Sequence, residues 1–169
     1  MALCWMSMAD SKDFIFARIP HRPPFLWVDK VISFSGDSLI AEKSIPVDLD
    51  IFQGHYPEYP ILPGVILCEA VFQAGALLIS ELIRQDNIGK NNSAAQGVPV
   101  LTRINSAKFK REVKPGEIIT LEVTLKEQVG TAWFLKGKVM VHGKTAVKVD
   151  FACAMSDVMN PHRHEDKTA

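Results

Sequence analysis

The chain lacks an excess of charge of either sign. Its 19 basic and 19 acidic residues give a formal net charge of zero over 169 residues. Nucleic acid or an anionic membrane surface attracts proteins with a basic excess, so neither is predicted as a partner. Internal repeats and low-complexity stretches are also absent from the sequence. With 47% hydrophobic residues, the chain is expected to form one globular domain with a substantial core.

Cysteine is scarce, and its spacing excludes the usual metal and disulfide patterns. The three cysteines, Cys4, Cys68 and Cys153, are an odd number and lie far apart. Cys68 and Cys153 fall in apolar stretches, which favours buried reduced thiols in a cytoplasmic protein. The sequence therefore predicts no metal site and no cofactor.

Neither terminus resembles an ordered element. Residues 1–13 have no positively charged start, so they do not read as a signal peptide. Residues 159–169 are polar and include His162 and His164, a pair that is better explained as solvated than as metal-binding. We expect a flexible segment over 1–13, one domain over 14–158, and a disordered polar tail over 159–169.

One long hydrophobic run begins after a Pro-Gly pair, where proline is tolerated at a helix start. It extends from Gly64 to about Gln85 and predicts a helix that is apolar on nearly all sides. A membrane span needs about 18 or more apolar residues with few charges. Glu69 lies inside the run, and Glu81 and Arg84 follow closely. The run is therefore predicted to be the central helix of a protein core, with no membrane span.

Glu69 and Gln73 are the polar residues of this run before Ser80, and their spacing of four places them on one helix face. A carboxyl group on a buried helix is costly when ionised and tends to hold its proton, which makes it a general-acid candidate. His55 lies in the turn-rich stretch before the helix. Each has a structural alternative: Glu69 could form a buried ion pair, and His55 could bond a loop carbonyl.

Short turns separate most of the other hydrophobic stretches. The segment 19–25 contains three prolines and is expected to be a rigid extended entry. Strand patterns cover Leu26–Phe34, Ser38–Ile45, 98–113, 118–128, 132–142 and 145–155. Strands joined by short turns pair antiparallel. A helix that is apolar all round must be wrapped by the sheet or covered by a second copy. The predicted fold class is α+β: a hot-dog fold, with an antiparallel sheet around one long central helix, that dimerises.

Four motifs, in this order and spacing, resemble one enzyme family. They are Pro20-His21-Arg22-Pro23-Pro24-Phe25-Leu26-Trp27-Val28-Asp29, Phe52-Gln53-Gly54-His55-Tyr56-Pro57, Pro60-Ile61-Leu62-Pro63-Gly64-Val65 and Glu69-Ala70-Val71-Phe72-Gln73. Together they are similar to the (3R)-hydroxyacyl-[acyl-carrier-protein] dehydratases of type II fatty acid synthesis, which are hot-dog enzymes. The similarity covers roughly residues 17–155.

The resemblance implies a reaction and its two catalytic residues. His55 corresponds to the family's catalytic histidine, and Glu69 to its catalytic glutamate, which the family places on opposing subunits of a dimer. The implied substrate is an acyl chain linked through phosphopantetheine to an acyl carrier protein, and the implied assembly is a homodimer or a trimer of dimers. Glutamate, rather than aspartate, at position 69 resembles the branch that only dehydrates.

Physical chemistry adds three candidate substrate-binding residues. The free N–H groups of Gly64 and Val65 begin the helix at its positive end and could hold a thioester oxygen. Gly64 would also let that oxygen approach closely. Gln73 is expected to position a group or a water molecule. His21 is expected to anchor a turn, while Lys108, Lys110 and Arg111 could either meet an acidic carrier protein or simply be solvated.

Three other functions remain open from the sequence alone. A hot-dog thioesterase would need a carboxylate that activates water at the thioester. An enoyl hydratase would act on coenzyme A esters. A non-catalytic acyl-binding partner would keep the cavity without the chemistry, which the presence of both His55 and Glu69 disfavours.

Overall fold

An antiparallel sheet packs around one long helix in the part of the chain that the structure, a computed structural model, describes: residues 8–88 and 97–156. Its elements, in chain order, are helix α1 (Met8–Phe16), strands β1 (Lys30–Ser35) and β2 (Ser38–Ser44), helices α2 (Ile51–Gly54) and α3 (Gly64–Asp86), and strands β3 (Val98–Phe109), β4 (Ile118–Val129), β5 (Ala132–Val141) and β6 (Lys144–Ser156).

The six strands lie in the order β1-β2-β4-β5-β6-β3, and every neighbouring pair is antiparallel. Tight turns join β1 to β2, β4 to β5 and β5 to β6, with Gly36, Gly130 and Gly143 in the left-handed region. Strand β3 lies at the far edge and pairs with β6. The predicted α+β hot-dog architecture is therefore confirmed for the single chain.

The sheet curves because its strands carry irregularities in register. Extra residues lie in β1, β3, β4 and β6, and such bulges bend a strand and increase its twist. The helix also comes very close to the centre of the sheet. A Cβ atom at Gly137 of β5 would collide with Val71 of α3, so only glycine allows this approach.

Helix α3 is the centre of the core. By length and composition it could cross a membrane, yet 72% of its most apolar window is buried inside the protein. Its apolar side chains pack against the inward faces of β4, β5 and β6, where alternate residues are buried, as in Leu121, Leu135 and Phe151. Burial in the protein core therefore explains the long hydrophobic run, and no membrane is needed to explain it.

Two short helices differ from the sequence-based expectations. Helix α1 runs across the boundary expected between 13 and 14, because residues of its C-terminal half pack on the core, where Ile15 is fully buried. Helix α2 forms one turn directly before His55. Strand β1 begins at Lys30 rather than at Leu26. The expected tail over 159–169, together with Cys4, lies outside the described residues, whereas Cys68 and Cys153 are free and buried as predicted.

A buried ion-pair cluster attaches the chain after α1 to α3. Glu81 is 5% exposed and accepts hydrogen bonds from Arg18, Arg84 and Gln85, with its Oε2 at 2.6 Å from Arg18 Nη2 and its Oε1 at 2.6 Å from Arg84 Nη2. Burial by itself would raise the pKa of Glu81, but the hydrogen bonds from Arg84, Arg18 and Gln85 outweigh it and lower the pKa to about 2. The carboxylate therefore stays ionised to low pH.

Replacing Glu81 by Gln should lower the free energy of unfolding at about pH 7 by on the order of 3 kcal/mol, because Arg18 loses its buried counter-charge. The folded-state pKa is depressed, so this contribution is present above the ordinary pKa of 4.5 and is lost as the pH falls towards about 2. Urea unfolding of both proteins at several pH values measures it. Glu127→Gln, at an exposed carboxylate, is the control. An unfolding free energy of Glu81→Gln equal to the wild type near neutral pH would contradict the assignment.

Candidate active site

His55 follows the single turn of α2, and its backbone N–H donates to Ile51 O at 2.9 Å. Its side chain is half-buried, and its Nδ1 lies 2.9 Å from Ile61 O. A carbonyl oxygen can only accept, so Nδ1 carries the proton in this contact. In the neutral ring the other nitrogen, Nε2, then holds the lone pair. The loop-carbonyl bond that was an alternative to catalysis is thus present, and it leaves Nε2 as a base.

The loop after His55 is fastened to the chain that follows β3. Leu62 donates its N–H to Val113 O at 2.7 Å, and the Tyr59 hydroxyl donates to Glu112 Oε1 at 2.5 Å. Tyr56 adopts a positive φ of 52°, which turns the chain sharply next to His55. These contacts hold the loop that carries Ile61, the hydrogen-bond partner of His55, against the chain after β3.

Glu69 lies in the second turn of α3 with 23% of its side chain exposed. Its Oε1 accepts a hydrogen bond from Gln73 Nε2 at 2.8 Å and lies 3.7 Å from His21 Nε2. Its Oε2 has no hydrogen-bond or ion-pair partner among the described residues. Burial, and to a lesser degree the Glu69 carboxylate, raises the pKa of Cys153 to about 12, so this neighbouring thiol stays protonated.

Gln73 is 1% exposed, and both polar atoms of its side-chain amide form hydrogen bonds with other protein groups. Its Oε1 accepts from the Trp27 N–H at 2.8 Å, while its Nε2 donates to Phe25 O at 2.9 Å and to Glu69 Oε1. Gln73, expected among the substrate-binding residues, therefore connects the proline-rich entry segment to Glu69.

Within one chain, no described residue contacts both His55 and Glu69. His55 contacts Ile61 and Tyr56, whereas Glu69 contacts Gln73 and His21. In the described part of the chain, Nε2 of the imidazole and Oε2 of the carboxyl group have no hydrogen-bond partner, and each atom suits the expected role of its residue.

The start of α3 lines a groove of about 480 Å³. Pro63 caps the helix without a side-chain hydrogen bond, and the first turn holds no acidic residue. The N–H groups of Gly64 and Val65 have no acceptor among the described residues, whereas Ile66 donates to Pro63 O. The groove wall includes Phe109, and Lys110 and Arg111 lie on the same wall. The site thus combines free amide donors with positive charge.

Phe109 occupies the space that the missing Gly64 side chain leaves. A Cβ atom at Gly64 would lie 2.6 Å from Phe109 Cε1, closer than van der Waals contact allows. The close approach expected at Gly64 is thus made by the ring of Phe109, a residue that is 56% exposed. Phe72 and Trp133, by contrast, are buried in the core.

His21 lies at the site, which its sequence pattern did not indicate. We expected it to anchor a turn, but its ring lies beside Glu69. No sequence pattern indicates this contact, because the hydrogen bonds of Gln73 to Phe25 and Trp27, which attach the motif to α3, are visible only in the structure. Among the described residues, no group of three or more His, Cys, Asp or Glu side chains could hold a metal ion.

Sequence comparisons place the chain in a known family. A family model described as a FabA-like domain matches residues 19–150. A 3-hydroxyacyl-[acyl-carrier-protein] dehydratase FabZ from Anaeromyxobacter sp. (strain Fw109-5) is 37% identical over 140 residues, which cover 82% of this chain and 85% of that protein. A protein of the same name from Oceanobacillus iheyensis is 37% identical over 138 residues, covering 81% and 92%.

Solved structures share the fold at low sequence identity. The dehydratase heterocomplex ApeI:P from Xenorhabdus doucetiae superposes with a TM-score of 0.65 at 16% identity, covering 84% of this chain and 90% of that one. A hypothetical thioesterase with coenzyme A from Streptococcus pneumoniae gives 0.58 at 13% identity, covering 86% and 95%. These structural similarities concern the fold alone, whereas the sequence matches show the family. The chain belongs to the FabA-like family, with relatives named as 3-hydroxyacyl-[acyl-carrier-protein] dehydratases.

Proposed function

We propose that this protein removes water from (3R)-3-hydroxyacyl-[acyl-carrier-protein] to give the trans-2-enoyl thioester in type II fatty acid synthesis. The observation that carries the proposal is the hydrogen bond from His55 Nδ1–H to Ile61 O, which leaves Nε2 as a base in a chain whose relatives are named dehydratases. Glu69 is the acid, and its Oε2 is free to deliver a proton.

The reaction needs one base and one acid that act at neighbouring carbons of the substrate. His55 Nε2 takes the proton from C2, and the electron pair of that C–H bond forms the C2–C3 double bond. The C3–O bond breaks as Glu69 gives its proton to the departing hydroxyl, which leaves as water. Imidazole suits the base because its ordinary pKa lies close to neutral pH. A half-buried carboxylic acid suits the acid.

Negative charge develops on the thioester oxygen when the C2 proton is removed. The free N–H groups of Gly64 and Val65 are the donors placed to stabilise it, since they lie at the positive end of α3. The groove beside them, with Phe109 as one wall, would receive the thioester and the start of the acyl chain. Gln73 acts behind Glu69 rather than on the substrate.

A second copy of the chain would complete the site. Strand β3 is exposed over most of its length and ends the sheet, and an exposed edge with apolar side chains favours pairing with another strand. Its exposed apolar residues include Leu101, Ile104 and Phe109, and Val65 at the start of α3 is 70% exposed. We therefore place His55 of one protomer opposite Glu69 of its partner, in a homodimer or a trimer of such dimers.

The partner that presents the substrate would be an acyl carrier protein. The FabZ relatives carry this substrate in their names. Lys110 and Arg111 lie on the groove wall and supply positive charge for an acidic carrier protein or for the phosphate of phosphopantetheine. Buried free thiols at Cys68 and Cys153 agree with a cytoplasmic location.

Thioesterase, enoyl hydratase and non-catalytic acyl-binding functions fit less well. The structural neighbours named as thioesterases share 13% and 15% sequence identity with this chain, which concerns the fold alone. The relatives above 30% identity reported above are dehydratases by name. A non-catalytic binder would have no use for the free Nε2 of His55 together with the free Oε2 of Glu69.

Replacing His55 by Ala should lower kcat for dehydration by at least about a hundredfold, because its imidazole is the proposed base for the C2 proton. Glu69→Gln should have a comparable effect, since an amide is a far weaker acid. Ultraviolet absorbance of the enoyl thioester follows the reaction, with substrates on carrier protein and on coenzyme A. His142→Asn, at an exposed histidine, and Glu127→Gln are the matched controls. Turnover by His55→Ala at the wild-type rate would refute its role as base.

Mixing the two inactive chains tests whether two protomers share a site. A dimer of one His55→Ala chain and one Glu69→Gln chain has one site with both defects and one site with neither. Purified mixed dimers, selected with two different affinity tags, should therefore show about half of the wild-type kcat. Inactive mixed dimers, with mixing verified by native mass spectrometry, would count against shared sites.

The exposed edge strand gives a separate test of assembly. Ile104→Glu places a charge on the apolar side of β3 and should convert the dimer to monomers, because a buried unpaired charge opposes association. Analytical ultracentrifugation measures the assembly, and Lys126→Glu, at an exposed position on β4, is the control. A variant that remains as dimeric as the wild type would show that β3 is not the interface.

A further inference from the structure

A second imidazole, that of His21, lies on the side of Glu69 that faces the proline-rich entry segment. Its Nε2 is 3.7 Å from Glu69 Oε1, and the two side chains are 28% and 23% exposed. Gln73 donates to the same oxygen at 2.8 Å. Two nitrogen atoms therefore approach Oε1, while Oε2 has no partner in the described ranges.

The orientation of the Gln73 amide is fixed by its backbone partners. The Trp27 N–H can only donate, so the atom that receives it is Oε1 of Gln73. Phe25 O can only accept, so the atom beside it is Nε2. The second hydrogen of this Nε2 is the one that points at Glu69 Oε1. Gln73 is therefore a donor to Glu69 and cannot act as an acceptor from its acid form.

The loop that carries His21 is held in place by its own hydrogen bonds. Arg22 donates to Ile19 O at 2.8 Å and to Phe16 O at 3.0 Å, and Phe25 donates its backbone N–H to Arg22 O at 2.9 Å. The bonds from Gln73 to Phe25 and Trp27 then attach this loop to α3. The hydrogen bonds of Arg22 within the loop and those of Gln73 to the loop backbone thus set the distance between His21 and Glu69.

The charge state of His21 follows from its surroundings. Burial lowers the pKa of His21 and Arg22 lowers it further, whereas Glu69 acts in the opposite direction. A neutral imidazole carries a single N–H. The Nδ1 atom is buried and has no hydrogen-bond partner among the residues that the structure describes, whereas Nε2 faces a carboxyl oxygen. The proton is better placed on Nε2, where it points at an acceptor, than on Nδ1, where a donor would be buried unsatisfied.

We infer that His21 is a positioning residue for the proposed acid: its Nε2–H and the Gln73 amide both face Oε1 of Glu69, so that the transferable proton resides on Oε2. A proton on Oε1 would point against two N–H donors. The separation of 3.7 Å exceeds hydrogen-bond length, so the hydrogen bond to Oε1 comes from Gln73 and His21 adds the field of its N–H. The inference rests on Glu69 being the acid of the proposed function.

Kinetics of His21 variants test this role. His21→Leu should lower kcat by about tenfold with little change in KM, because an interaction that aligns proton transfer acts in the transition state. His21→Gln places an amide N–H near the position of Nε2 and should recover kcat to within about threefold of the wild type. His21→Asn places its amide near Nδ1 and should not. Equal kcat for the Leu variant and the wild type, or equal losses for Gln and Asn, would overturn the inference.

The tautomer of His21 is measurable in the unaltered protein and does not depend on a variant folding. Long-range ¹⁵N–¹H correlation spectra, with His21 assigned by its disappearance in His21→Gln, should show a neutral ring protonated at Nε2 near pH 7. A ring protonated at Nδ1, or an imidazolium, would overturn the inference. The activity of Glu69→Gln separates the two failures. If that variant turns over normally, the proposed function fails. If it is inactive while His21→Leu is unimpaired, only the positioning role fails.

Discussion

The side-chain amide of Gln73 is the contact on which the arrangement of the site depends. It is buried in the core helix, yet all its hydrogen-bonding groups are satisfied by Phe25, Trp27 and Glu69. A buried amide without partners would be costly, so the entry segment and the carboxyl group are held to the helix together. This one side chain sets where Glu69 lies and which of its oxygens is free.

The same helix poses the main problem of the fold. A helix that is apolar on nearly all sides must be covered all round, and the curved sheet does most of this. Its first turn stays open at Val65, next to the exposed edge of β3. The apolar surface that one chain leaves uncovered therefore lies beside the groove where the proposed chemistry takes place. Assembly and catalysis are linked by this geometry in the proposed function.

Much of the fold could be predicted from residue pattern alone. The long helix, the later strands and their turns follow from hydrophobic periodicity and from glycine positions such as Gly143. Helix α1 and the single turn α2 could not, because short helices depend on tertiary packing more than on propensity. For the site, the sequence indicated His55 and Glu69 as candidates. It could not reveal the position of His21 beside Glu69. That contact joins residues 48 positions apart and depends on the hydrogen bonds of Gln73 to Phe25 and Trp27.

The most direct test of the central claim is a crystal structure of the assembled protein with a non-reactive 3-hydroxyacyl thioester analogue. We expect both groups to contact one ligand: His55 Nε2 of one protomer beside C2, and Glu69 Oε2 of its partner beside the hydroxyl group on C3. Each contact distance should be about 3–3.5 Å. A structure in which the two groups contact different molecules, or stay far apart in every assembly that the protein forms, would contradict the account.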